Sequence, residues 1–236
     1  MLLQRLLVLS FCIKSCLALA DVSTPESLRV ATKKLEAFEQ QTHLLEKAKR
    51  LTPDICTMVL AVQNGLSNGI DYYSPKDWII YAPALALLLE EKSLSGKKIL
   101  TVASGYGLFS KYLRSVEKSE ATSLDITPRN ITIGKTLGVE NHILSDAAHI
   151  SVADGQYDYV MTEPGFLDTN LFLTTEDALQ TLQEIYRVLS SDGKLILPST
   201  DLTFIPDQLV QAAGFKRIGS IETKHRHIYA EAFVKK

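Results

Sequence analysis

The chain has 236 residues, 46% of them hydrophobic, and a net charge of -2. That length holds one α/β domain with a full core plus a further helical segment, and the charge balance gives no electrostatic case for nucleic acid, which asks for a basic patch or excess. No apolar run is long enough for a stable membrane-spanning helix.

Met1 to Arg5 carries one positive charge, Leu6 to Ile13 is apolar, and Ala18-Leu19-Ala20 offers small residues where a signal peptidase reads. The chain turns polar at Asp21. Residues 1–20 therefore have a secretory signal pattern, which Lys14 interrupts. The expectation is an exported protein, secreted or periplasmic, with a cytoplasmic protein as the alternative. Lys14 before Ser15-Cys16 disfavours a lipoprotein. Cys12 and Cys16 fall in the signal and Cys56 stands alone after it, so no intrachain disulfide framework is expected.

Ser27 to Arg50 is charged, with Leu28, Leu35, Phe38, Leu44 and Leu45 at helical spacing, and is expected as one long amphipathic helix. Asn64-Gly65 and Asn68-Gly69 are turn signals, and Tyr72, Tyr73, Trp78 and Tyr81 form an aromatic cluster. Pro83 opens an apolar helix, Ala84 to Glu91. Residues 21–93 read as an N-terminal helical cap or lid, and residues 94–236 as the main domain.

From Lys98 the pattern alternates. Strands are expected at Lys98–Val102, Ala121–Asp125, His142–Ser145, Tyr157–Thr162 and Lys194–Leu197. Helices are expected at Gly107–Val116, Pro128–Leu137, Thr175–Leu189 and Pro206–Ala213. Thr174 or Thr175 caps the third of these, and Ser191-Asp192-Gly193 is the turn out of it. Phe215–Glu222 and His227–Val234 follow with no helix between them, so they pair as a hairpin. The fold expected is α/β: a Rossmann-like, mostly parallel sheet of seven strands, one of them antiparallel, with helices on both faces.

Ile99 to Ser110 reads as strand, glycine turn and helix start. Gly105 and Gly107 let backbone N–H groups approach a ligand beside the positive end of a helix. Asp125 ends the next strand, about twenty residues on, where a carboxylate can accept a hydrogen bond from each hydroxyl of a ribose. Together these point to a pocket for a nucleoside-containing cofactor. No metal is expected: His225 and His227 share a strand face with nothing to complete a site. His142 and His149 are read as structural or surface residues.

With these residues the chain resembles class I S-adenosylmethionine-dependent methyltransferases over roughly Leu94 to Lys236. The resemblance is carried by Ile99 to Ser110, Ser123-Leu124-Asp125-Ile126, Leu144-Ser145-Asp146-Ala147-Ala148 and Gln156-Tyr157-Asp158-Tyr159-Val160. It continues through Glu184 to Leu197 and Ala212-Ala213-Gly214-Phe215. It implies S-adenosyl-L-methionine as cofactor, with Thr101, Ala103, Gly105 and Gly107 along its methionine side. It also implies Asp125 and Ile126 at the ribose, and Asp146 and Ala147 near the adenine. Two residues depart from the family pattern, which has an acidic residue at the place of Thr101 and a glycine at the place of Ala103. Thr101 cannot offset the cofactor's ammonium, and Ala103 is tolerable only where backbone φ is negative.

The activity implied is methyl transfer to a small-molecule or protein acceptor. Glu163, in Thr162-Glu163-Pro164-Gly165-Phe166, stands at the carboxyl edge of the sheet as the candidate base or acceptor-orienting group. The alternative is a non-catalytic binding or accessory protein on the same fold, which Thr101 and Ala103 motivate. A nucleotide-cofactor oxidoreductase is disfavoured by Ser110 in the region of the third glycine of the dinucleotide pattern. S-adenosylmethionine is made in the cytosol, so an exported enzyme needs a supply of it outside. The acceptor atom and the oligomeric state stay open.

Overall fold

The structure is a computed structural model that describes residues 26–44, 47, 81–90, 93–163, 166–167, 174–199, 205–222 and 228–236. The signal pattern, the three cysteines, Leu45, Tyr72, Tyr73, Trp78, His225 and His227 lie outside the described residues.

Helix α1 spans Glu26–Thr42 and buries Leu28, Ala31, Leu35 and Phe38 on one face. The periodicity extended this helix to Arg50, but His43 sits at φ 49, a left-handed conformation that ends it. Helix α2, Ala82–Leu89, has proline in its first turn, which needs no N–H there, and buries seven residues from Ala82 to Leu88. A fully buried leucine is worth about 2 kcal/mol, so α2 is a layer of the core.

The alternating part contains β1 Lys98–Val102, α3 Leu108–Ser115, β2 Glu120–Asp125, α4 Pro128–Thr136, β3 His142–Leu144 and β4 Tyr157–Thr162. It continues with α5 Thr175–Val188, β5 Leu189–Ser199, α6 Asp207–Ala212, β6 Phe215–Glu222 and β7 Tyr229–Lys235. Thr174 caps α5 by accepting the Asp177 N–H at 3.1 Å. The strands form one sheet in the order β3-β2-β1-β4-β5-β7-β6. β7 is antiparallel to both β5 and β6, and the other pairs are parallel. This is the Rossmann-like sheet expected from the alternation.

Ser191-Asp192-Gly193 does not break the chain into helix, turn and strand. It is a wide bulge inside β5: Leu189 pairs with Tyr157, and the next pair joins Lys194 to Tyr159. Gly193 is needed there because a Cβ would lie 2.9 Å from Leu189 Cδ2 and 3.0 Å from the Tyr157 carbonyl.

Strand side chains alternate between two faces. Ile99, Tyr159, Met161 and Ile196 pack with α1, α2 and α3 on one side. Leu100, Val102, Val160, Leu195 and Leu197 pack with α5 and α6 on the other. The order reverses between β1 and β4, so the crevice outside their carboxyl ends is where this architecture holds ligands.

Candidate functional site

The chain leaves β1 through a turn in which Ala103, Gly105 and Gly107 all have positive φ, at 56°, 54° and 72°. Glycine adopts this freely, whereas alanine adopts it at a cost, because its Cβ crowds the next carbonyl. The condition for an unstrained alanine, a negative φ, is not met at Ala103. The turn's path is set by its hydrogen bonds: the Ser104 N–H and hydroxyl both donate to the Leu124 carbonyl, at 2.9 and 3.1 Å. Gly107 has a second reason to be glycine, since a Cβ would stand 2.5 Å from Ser123 Oγ on β2.

Asp125 lies at the centre of the site. It is 6% exposed. One oxygen accepts the Gly105 N–H at 2.8 Å; the other accepts the Thr127 N–H at 2.8 Å and Asn130 Nδ2–H at 3.2 Å. A carboxylate offers about four lone-pair directions, so the anchoring of both turns leaves room for about one more donor. Beside it Ile126 is 63% exposed, and Leu144, in register with Asp125, is 54% exposed. The Ser145 N–H donates to the Asp125 carbonyl at 3.1 Å, which draws the next loop in. There Asp146 accepts the Ala148 N–H at 2.9 Å and stays half-exposed, while Ala147 is buried. Asp125, Ile126, Asp146 and Ala147 thus converge at the carboxyl ends of β2 and β3. Leu144 was missed by sequence reasoning; its signal was an apolar residue at the end of a short strand.

Thr101 faces α3. Its Oγ1 and Ser110 Oγ are 2.5 Å apart in a buried pair, so this hydroxyl ties β1 to the helix after the turn.

Glu163 continues the edge of β4: its N–H donates to the Val102 carbonyl at 2.9 Å. The Tyr81 hydroxyl donates to Glu163 Oε1 at 2.5 Å. Tyr81 is buried, and its ring stacks on Phe109 at 4.6 Å and 9°. Tyr81, at the start of α2, therefore holds the Glu163 carboxylate at the carboxyl end of β4, across 82 residues of sequence. Next to it Thr162 is 1% exposed, and its Oγ1 has no partner among the described residues.

His142 and His149 are not part of this centre. His142 is half-buried against Gly134, and neither of its ring nitrogens has a hydrogen-bond partner among the described residues. Burial holds its pKa down at about 4, against the Asp125 carboxylate and together with the Lys135 charge. His149 is exposed, and its Nε2 lies 3.0 Å from Gln180.

The residues fit a nucleoside. A buried carboxylate with a spare acceptor direction for a hydroxyl lies beside an exposed apolar pair that can cover a base. The methionine end is different: no carboxylate faces it from position 101, and a methyl group stands at the positive-φ residue of the turn.

Residues 100–197 match the family described as "Methyltransferase domain". Solved structures share the fold. The PH0226 protein from Pyrococcus horikoshii is 21% identical, with a TM-score of 0.57 over 70% of this chain and 94% of that one. A TehB-like SAM-dependent methyltransferase from Corynebacterium glutamicum is 17% identical, with a TM-score of 0.54 over 64% and 86%. The [4+2]-cyclase SpnF is 15% identical, with a TM-score of 0.54 over 76% and 92%. At these identities the likeness shows the fold. No curated protein matches the chain.

Proposed function

We propose that this chain, which carries a class I methyltransferase domain with S-adenosylmethionine as the implied cofactor, is an active methyltransferase for a small-molecule or protein acceptor. The observation that carries the reading is the buried Asp125 carboxylate, bound to the Gly105 and Thr127 N–H groups beside exposed Ile126. When bound, the cofactor supplies a methyl group activated on a sulfonium. Asp125 and Ile126 would hold its ribose and adenine, with Asp146 and Ala147 at the far end of the base and the turn from Ala103 to Gly107 along the methionine side. The chain's own contribution is then alignment, because a sulfonium is already a good leaving group. Glu163, held by Tyr81, is placed to orient an acceptor and to take a proton from its O–H or N–H.

Two observations favour a second reading, a binding or accessory protein. The Thr101 hydroxyl is committed to Ser110, and Ala103 keeps its methyl group at positive φ. The fold of SpnF, a cyclase, is a reminder that this sheet hosts other chemistry.

Tritium-labelled S-adenosylmethionine, mixed with the full chain and an extract of its host, tests between the two. Incorporation into acceptors that falls at least tenfold in Glu163→Gln supports the enzyme. Cofactor binding without incorporation supports the accessory protein. We also read residues 1–20 as an export signal; a full-length, cytoplasmic protein in fractionated cells would refute that.

A further inference from the structure

A second cleft, of about 480 Å³, lies away from the cofactor site. One wall is α3 and the turn leading to β2, with Lys111, Arg114 and Lys118; the other is residues 138–141, leading to β3, with Glu140. Both walls end where β2 and β3 begin. The cleft therefore opens at the amino edge of the sheet, whereas Asp125 and Asp146 stand at the carboxyl edge.

Lys111 and Arg114, three residues apart, share one side of α3, and Lys118 joins them from the turn after it, at φ 58. Like charges at that spacing weaken a helix, and here little offsets them. Glu140 is the only carboxylate in the lining among the described residues; it is 79% exposed and 3.9 Å from Arg114. Glu117, close in sequence, is already taken by Lys34 at 2.9 Å and the Tyr112 hydroxyl at 2.6 Å. The cations rest on carbonyls: Lys111 on Leu137 at 2.5 Å, Lys118 on Ser115 at 2.8 Å and Arg114 on Ala121 at 3.2 Å. Lys47 adds a further positive charge near Lys111. The carboxyl ends of α3 and α4 each contribute about half a negative charge. Against Lys47, Lys111, Arg114 and Lys118, these ends and Glu140 leave a surplus of about two positive charges.

Two other features point the same way. Gly138 ends α4 at φ +77, a conformation that favours glycine, and without a Cβ it leaves Lys111 Nζ its place in the cleft wall, 2.7 Å from where that Cβ would stand. Ser119, in the same wall, is 6% exposed with a hydroxyl that has no partner among the described residues.

We propose that this cleft binds the phosphate group of a small phosphorylated metabolite, at a site separate from the cofactor site. A phosphate monoester carries about one and a half to two negative charges and only acceptor oxygens, which complements a surplus of about two and a wall of donors. The whole cleft, at about 480 Å³, falls in the size range of small-molecule sites.

The test titrates the full-length protein with inorganic pyrophosphate, followed by thermal shift and phosphorus NMR, with ionic strength held constant by sodium chloride. The expected result is a saturable rise in Tm and a dissociation constant below about 1 mM. Lys118→Gln, at an exposed position, weakens binding at least threefold, and Arg114→Gln with Lys118→Gln at least tenfold. Ile126→Glu, at the other site, leaves it unchanged. The proposal is overturned if the protein shows no saturable response or the same response to sodium chloride alone. It is equally overturned if binding survives in the double variant or is lost in Ile126→Glu.

Discussion

Replacing Ala103 by glycine should stabilise this protein, against the usual effect of that substitution. Ala103 has φ 56. An L-residue held in the left-handed region costs roughly 1–2 kcal/mol, and glycine removes that cost. Glycine also brings greater freedom to the unfolded chain, which takes back about 0.5–1 kcal/mol. The methyl group lost is only half-buried, so little packing goes with it. The net expectation is a gain of about 0.5–1 kcal/mol, or roughly 1–4 °C in Tm for a chain of this size. Urea unfolding followed by circular dichroism reads the first quantity and calorimetry the second. Ala121→Gly is the control. Ala121 is fully buried in β2 and not at positive φ, so it should lose about 1–2 kcal/mol. Opposite signs for the two variants establish that backbone conformation is the cause. A fall in Tm of more than 2 °C for Ala103→Gly, by the same scaling a loss of about 0.5–1 kcal/mol, would refute the reasoning.

Gly107→Ala should destabilise by about 3 kcal/mol, because φ is 72 and the new Cβ would stand 2.5 Å from Ser123 Oγ and 3.0 Å from Val139 Cγ1; the urea midpoint reads it. Thr101→Val alone should cost about 1–3 kcal/mol by orphaning Ser110, while Thr101→Val with Ser110→Ala costs less than the sum of the two single changes; a double-mutant cycle of urea midpoints measures the difference. His142 supplies an acid limb. Its folded pKa of about 4 lies below the ordinary 6.5, so the unfolded chain takes the proton first. Its stability contribution is full above pH 6.5 and is lost as pH falls towards 4, by no more than about 3 kcal/mol. His142→Leu should flatten the fall in Tm over that range, and an unchanged acid limb would contradict the assignment.

The parts of the fold visible in the sequence are those that depend on local period. β1 and β4 fall on the expected residues, and the hairpin from Phe215 pairs as the missing helix required. Where expectation and structure differ, a distant contact decides. Ser191 to Gly193 carries turn residues, yet β4 captures both flanks and makes the turn a bulge. Ala103 looks tolerable at negative φ, but the bonds from Ser104 to Leu124 and from Gly105 to Asp125 bend the turn the other way. In the site, Asp125 was legible from its place after the glycine turn. Its bond to Gly105, and the bond between Thr101 and Ser110, appear only when the chain folds back on itself. Glu163 was recognisable as a carboxylate at the sheet edge, but no local pattern links it to Tyr81.

The central claim is a nucleoside-cofactor pocket at the carboxyl ends of β1, β2 and β3. Its most direct test is calorimetric titration of the full chain with S-adenosylmethionine and S-adenosylhomocysteine, beside Ile126→Glu, whose exposed side chain can change without disturbing the Asp125 anchors. Micromolar binding of both ligands is expected, weakened at least tenfold in the variant. A folded protein that binds neither ligand at millimolar concentration, or a variant that binds as well as the original, would contradict it.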